Sequence, residues 1–195
     1  MKYLWLPILL CAFLAAPLAS RADALSDGMA AYDAKDYAKA YELLLPLADA
    51  GANAEACYRL GLMYDSGNGM TRDLSKAVKY YESAAAKGHG KGAFNAGVMY
   101  LNGDGVTMDY AKASELFQIG AEAGDLDSQL NLGLMLAAAK GVERNLSLAF
   151  KWLFLASDSG EPKAIEAVRR FRTVTPPDVV AEGRRLATAW QSHRR

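Results

Sequence analysis

The sequence predicts an all-α protein: a right-handed α-solenoid of stacked helix-turn-helix repeats, closed by a C-terminal capping helix. Two observations predict it. Small residues recur in four columns with one period. Gly61, Gly97 and Gly133 are 36 apart, as are Gly69, Gly105 and Gly141, then Ala77, Ala113 and Ala149, then Gly88, Gly124 and Gly160. Self-similarity at this period is the mark of stacked supersecondary units. Within each period, a helical run is broken by a glycine-rich reversal and followed by a second helical run. One such two-helix unit cannot bury its apolar face alone, so the copies must stack.

The elements follow in chain order. Residues 1–24 read as a secretory signal peptide, with Lys2 as the positive region, Leu4–Leu18 as the apolar region and Ala22-Asp23-Ala24 as a small-x-small cleavage site. The apolar run is too short for a comfortable membrane span, so the processed chain, residues 25–195, is expected to have no stable membrane insertion. Cleavage removes Cys11 and leaves Cys57 without a disulfide partner, a small apolar residue among packing neighbours.

Residues 25–51 form a shortened first repeat whose turn, Asp33-Ala34-Lys35-Asp36, is four residues shorter than the next copy's loop. Pro46 falls inside its second helix and should bend it. Full repeats follow at about 55–88, 91–124 and 127–160. In the first of these, Ala54–Tyr64 is helix A, Gly67 and Gly69 reverse the chain, and helix B runs from about Asp73 to Lys87. Asp73 and Asp109 are placed to cap the B helices, and Gly88, Gly124 and Gly160 to end them in a left-handed residue. Gly61 lies mid-helix, where glycine costs about 1 kcal/mol against alanine. That cost is explained if two helices cross there, with Ala77 as the expected partner. Capping helices occupy 162–192: one over Pro162–Arg172, then one capped by Thr175 with Pro176 as its first residue. Val179, Gly183, Leu186 and Trp190 should lay that last helix over the last repeat.

The pattern A-x-Y-x-L-G-x-M-Y-x-x-G-x-G, then D-x-x-K-A-x-x-Y-x-x-A-A-x-x-G, resembles the Sel-1-like repeat (SLR), a branch of the tetratricopeptide-like α-solenoids. Ala56, Tyr58, Leu60, Gly61, Met63, Tyr64, Gly67, Gly69, Asp73, Lys76, Ala77, Tyr80, Ala84, Ala85 and Gly88 carry the match. The third copy departs from it, with Leu136 in place of a tyrosine and Ala139 in place of the first loop glycine. The resemblance covers roughly residues 25–192 and implies the fold more strongly than any function.

The chain's 22 Lys/Arg balance its 22 Asp/Glu, which excludes a strong nucleic-acid field. The balance conceals an asymmetry: residues 25–160 hold 12 basic against 17 acidic side chains, and residues 161–195 hold 8 against 4. A solvated surface is the plain reading of that basic end. No catalytic residues, cofactor or metal site are expected: His89 and His193 have no metal-like neighbours, and no phosphate-loop or nucleophile-elbow pattern occurs. Some cysteine-rich relatives are described as β-lactam-binding or hydrolysing; they use paired cysteines in each repeat, and this chain has none.

By analogy with tetratricopeptide-like units, helix A lines a concave groove. Positions −6, −3, +1 and +4 from the helix glycine face it: Glu55, Tyr58, Leu62 and Asp65, then Lys91, Phe94, Val98 and Leu101, then Asp127, Leu130, Leu134 and Ala137. Leu25 and Met29 continue the line. The expected partner site is therefore Met29, Tyr58, Leu62, Phe94, Val98, Leu130 and Leu134, with Arg59, Asn95 and Asn131 able to hydrogen-bond a bound backbone. The same ladder could instead be core. The function expected is an exported, periplasmic interaction scaffold or regulator that binds an envelope protein or peptide, and an open end of so short a stack suits a homodimer. The alternatives are a cell-wall-related hydrolase and a peptidoglycan or glycan binder using Tyr58, Tyr64, Tyr100 and Trp152.

Overall fold

A computed structural model describes residues 18–49 and 53–194, with side chains from residue 22. The Lys2 and apolar-run assignments up to Pro17, Cys11 with them, and the end of the first repeat at Gly51 lie outside the described residues. Among those described there are ten helices and no strand: α1 (Leu18–Asp33), α2 (Tyr37–Asp49), α3 (Ala54–Ser66), α4 (Leu74–Ala85), α5 (Gly90–Asn102), α6 (Tyr110–Ala123), α7 (Leu126–Ala138), α8 (Leu146–Asp158), α9 (Pro162–Arg172) and α10 (Pro177–Ser192). The fold is the stacked-repeat solenoid that the periodicity predicts. Odd and even helices pair as hairpins through α7/α8, and each even helix also packs on the odd helix that follows it.

Capping residues set the helix starts. Asp73, Asp109 and Asn145 each accept a hydrogen bond from the backbone N–H three residues on, which opens α4, α6 and α8. Asn53, His89 and Asp125 do the same for α3, α5 and α7. Gly67 and Gly103 end α3 and α5 in the left-handed region, and Ala139 ends α7 there too, at φ 54°. The third loop thus keeps its geometry without the glycine.

The crossing of each hairpin is tight at its odd-helix glycine, but the partner is not Ala77. A Cβ on Gly61 would stand 2.5 Å from the Tyr81 ring. The equivalents are Leu44 over Gly28, Phe117 over Gly97 and Leu153 over Gly133. The side chain over the glycine is the one a turn beyond the alanine, because a large group is needed to fill the gap that the glycine leaves. Leu44, Tyr81, Phe117 and Leu153 are fully buried and run as a spine through the stack. Each such leucine or phenylalanine contributes about 1.5–3 kcal/mol by burial. Cys57 lies in the same core, where burial pushes its thiol up.

The C-terminal end departs from the hairpin rule. α10 packs on α8, not as a hairpin partner of α9. Gly183 lies against Phe150, and Trp190 meets Trp152 edge-on with ring centroids 5.9 Å apart. Its N-cap is Pro176, not Thr175, and it makes no side-chain cap. The reason is local: a residue before proline is held out of the helical region, so Pro177 keeps Pro176 extended and the helix starts one residue late.

Candidate functional site

A cleft of about 990 Å³ runs along the side of the stack on which the odd helices begin. α1 supplies Leu25 and Met29; α3 supplies Glu55, Tyr58 and Arg59. The α4–α5 junction adds His89, Gly90 and Lys91, and the α6–α7 junction adds Ala123 to Asp127. The two junctions lie close together: a Cβ on Gly90 would stand 3.1 Å from the Cβ of Asp125.

One wall is held rigid by a polar network. His89 accepts the Gly92 N–H through Nδ1 at 3.0 Å, which caps α5 and leaves Nε2 to donate to Glu55 Oε2 at 3.0 Å. Its ring stacks on Tyr58 at 4.5 Å. Arg59 donates from Nε to Glu55 at 2.6 Å and from Nη1 to Asp33 at 3.1 Å, with its guanidinium over the Tyr32 ring. Burial raises the Glu55 carboxyl, but hydrogen bonds from Arg59 and His89 outweigh it and hold the group below its ordinary range. Burial pushes the Tyr58 phenol up, so it stays neutral. The opposite wall is less matched. Burial, then Asp125 and Glu161, raise the Asp127 carboxyl. Lys91 is exposed and forms no ion pair among the described residues.

The expected groove residues divide. Met29, Tyr58 and Arg59 line the cleft, together with Leu25, Glu55, Lys91 and Asp127, all expected to face the groove. Phe94, Asn95 and Val98 line a second hollow of about 240 Å³ with Asp65, Arg72 and Asp104. Leu62 is half-buried against the core, and Asn131 turns its amide back onto the Asp127 carbonyl at 2.8 Å. Leu130 is core, 5% exposed, while Leu134 is 36% exposed. The ladder is therefore not one open strip. Phe94 and Val98 of α5 lean on the cluster that holds Leu130, so neighbouring odd helices close the line between them. Of the glycan-stacking candidates, Tyr64 and Trp152 are buried and offer no free face.

Sequence reasoning missed His89, Gly90 and the Ala123–Leu126 junction. A signal was present: Asn53, His89, Asp125 and Glu161 are each 36 apart and all prove to be N-caps of odd helices. Caps from adjacent copies converge because the copies stack in register.

The family profile of the Sel1 repeat matches residues 23–51, 54–89, 90–125 and 126–161. The chain is similar to a Sel1 repeat protein from Oxalobacter formigenes, at 28% identity over 73% of this chain and 56% of that one, with a TM-score of 0.66. It is similar to a protective antigen with an SLR fold from uropathogenic Escherichia coli, at 27% identity over 87% of this chain and 38% of that one, with a TM-score of 0.71. It is also similar to cysteine rich protein B of Helicobacter pylori, at 26% identity over 64% of this chain and 93% of that one, with a TM-score of 0.50. The chain thus spans 56% and 38% of the lengths of the first two. No curated protein matches it.

Proposed function

The chain belongs to the Sel1 repeat family, whose members generally serve as protein-interaction scaffolds and are typically non-catalytic. On that premise we propose that it is an exported, periplasmic scaffold or regulator that holds an envelope protein or peptide in the cleft at the start of its odd helices.

The observation that carries this reading is the composition of the cleft. Leu25, Met29, Tyr58 and Leu126 give apolar surface, and the rigid Glu55–Arg59–His89 wall faces the less neutralised Asp127 and Lys91. A partner segment would bury the apolar part and pair with the charges at the edge. Export is supported by the apolar N-terminal pattern of residues 1–24, and among the described residues no helix is long and apolar enough to cross a membrane.

The test is capture from envelope extract with the parent chain and a Met29→Ser/Leu126→Ser variant of equal helicity. A protein retained by the parent and lost by the variant is the expected result. Retention of the same proteins by both would remove the cleft as the binding site.

A further inference from the structure

The basic end of the molecule carries a surface that the interaction cleft does not use. In each hairpin the second helix covers the first, but α9 receives no such cover, because α10 passes to α8 and is anchored there by Gly183 against Phe150 and Trp190 against Trp152. α9 packs through Ala164, Ala167 and Val168 and leaves its opposite side free.

That side pairs exposed apolar groups with unpaired cations. Ile165 is 48% exposed and Val174, in the turn after the helix, is 79% exposed. Ile165, Arg169 and Arg172, at positions i, i+4 and i+7, form one edge of the exposed side, and Lys163 and Arg170, seven residues apart, form its other edge. Arg169 is paired with Glu166, whereas Lys163, Arg170 and Arg172 form no ion pair among the described residues. The charge of the whole end agrees: 8 basic less 4 acidic side chains gives +4 over residues 161–195, against 12 less 17, or −5, over residues 25–160.

We propose that α9 and the turn after it dock the protein on an anionic membrane surface. The guanidinium groups of Arg170 and Arg172 and the Lys163 ammonium would meet lipid phosphates, while Ile165 and Val174 enter the headgroup boundary. A bilayer offers both kinds of partner side by side, anionic oxygens for the cations and an apolar layer for Ile165 and Val174, while the exposed Glu166 is engaged by Arg169. The body, acidic overall, adds no attraction, so contact is confined to this end. This surface is separate from the cleft, and the inference does not depend on what the cleft binds.

The experiment is vesicle sedimentation with the protein as cells accumulate it, processed or not. The probes are phosphatidylcholine vesicles with and without about 30% phosphatidylglycerol. Expected is roughly tenfold stronger partitioning to the anionic vesicles, weakened by salt. An Arg170→Glu/Arg172→Glu variant should fall to the level of neutral vesicles, and Val174→Ser should lose part of the binding. Lys39→Glu/Lys79→Glu, the same charge change away from this end, should bind as the parent does, and circular dichroism confirms folding of all four. Equal partitioning of the parent to both vesicle types overturns the proposal, as does equal loss in the two charge variants. Self-association of the parent that the α9 variant abolishes, with no preference for anionic vesicles, also overturns it and gives the surface to a second copy.

Discussion

At Gly61 an added Cβ would stand 2.5 Å from two ring carbons of Tyr81, which is itself fully buried. The ring cannot retreat, because it also stands beside Tyr58 and donates its hydroxyl to Asp65 at 3.3 Å. Gly61→Ala gains about 1 kcal/mol of helix propensity and loses about 1–3 kcal/mol to overpacking. The expected outcome is a lower melting temperature, read by thermal circular dichroism; an unchanged or higher one would mean that the helices separate freely. Glu55 acts at the same scale through charge. Its carboxyl is lower in the folded chain than in the unfolded one, so it adds stability above its ordinary carboxylate range, and this is lost as pH falls through its folded value. Glu55→Gln should cost about 1–2 kcal/mol near pH 7, since hydrogen bonds to a charged group from Arg59 and His89 are weakened. In urea titrations the gap between variant and parent should close on acidification, and a gap that stays constant with pH would exclude this role.

Loop conformation belongs to the scale of the element. Gly67, Gly103 and Ala139 occupy one position in three successive repeats, all left-handed, with φ of 71°, 80° and 54°. A left-handed alanine costs roughly 1–2 kcal/mol, part of which glycine gives back as chain entropy in the unfolded state. Ala139→Gly should therefore stabilise the protein by up to about 1 kcal/mol, seen as a higher urea midpoint; destabilisation would show that the methyl group makes a contact worth more than its strain. The backbone N–H of Ala139 bonds to the Met135 carbonyl, the 5→1 closure that Gly67 and Gly103 make to Met63 and Met99, so the strained residue is held by the repeat around it.

For the whole molecule, the decisive feature is how the stack ends. α10 covers α8 of the last matched repeat, bringing Trp190 to Trp152 and the Arg184 guanidinium over Phe154 at 3.7 Å. Removal of residues 177–195 should uncover Phe150, Trp152 and Phe154, lower the melting temperature and give binding of a hydrophobic dye. A truncated chain that melts like the parent and binds no dye would make α10 dispensable. The same folding back leaves α9 uncovered, so one connection both protects the core and exposes the basic surface.

The stacked architecture was legible in the sequence because its determinants are local and repeated. In the three full repeats a glycine every 36 residues marks each crossing and each reversal, and capping residues follow the same period. Helical spacing, read with the tetratricopeptide analogy, reached Met29, Tyr58 and Arg59 of the cleft but not His89 or the Ala123–Leu126 junction. What only the tertiary structure decided is which of them remain open. Leu130 and Leu134 are one helical turn apart and equally apolar in sequence, yet one is core and the other surface, because the contact between neighbouring odd helices closes over the first. The spine partner Tyr81 in place of Ala77, the meeting of caps from adjacent copies, and the path of α10 onto α8 are likewise set by distances between segments far apart in the chain. Periodicity specifies where each helix begins and ends; the angle at which copies stack, which sets those distances, arises only when all their side chains pack together.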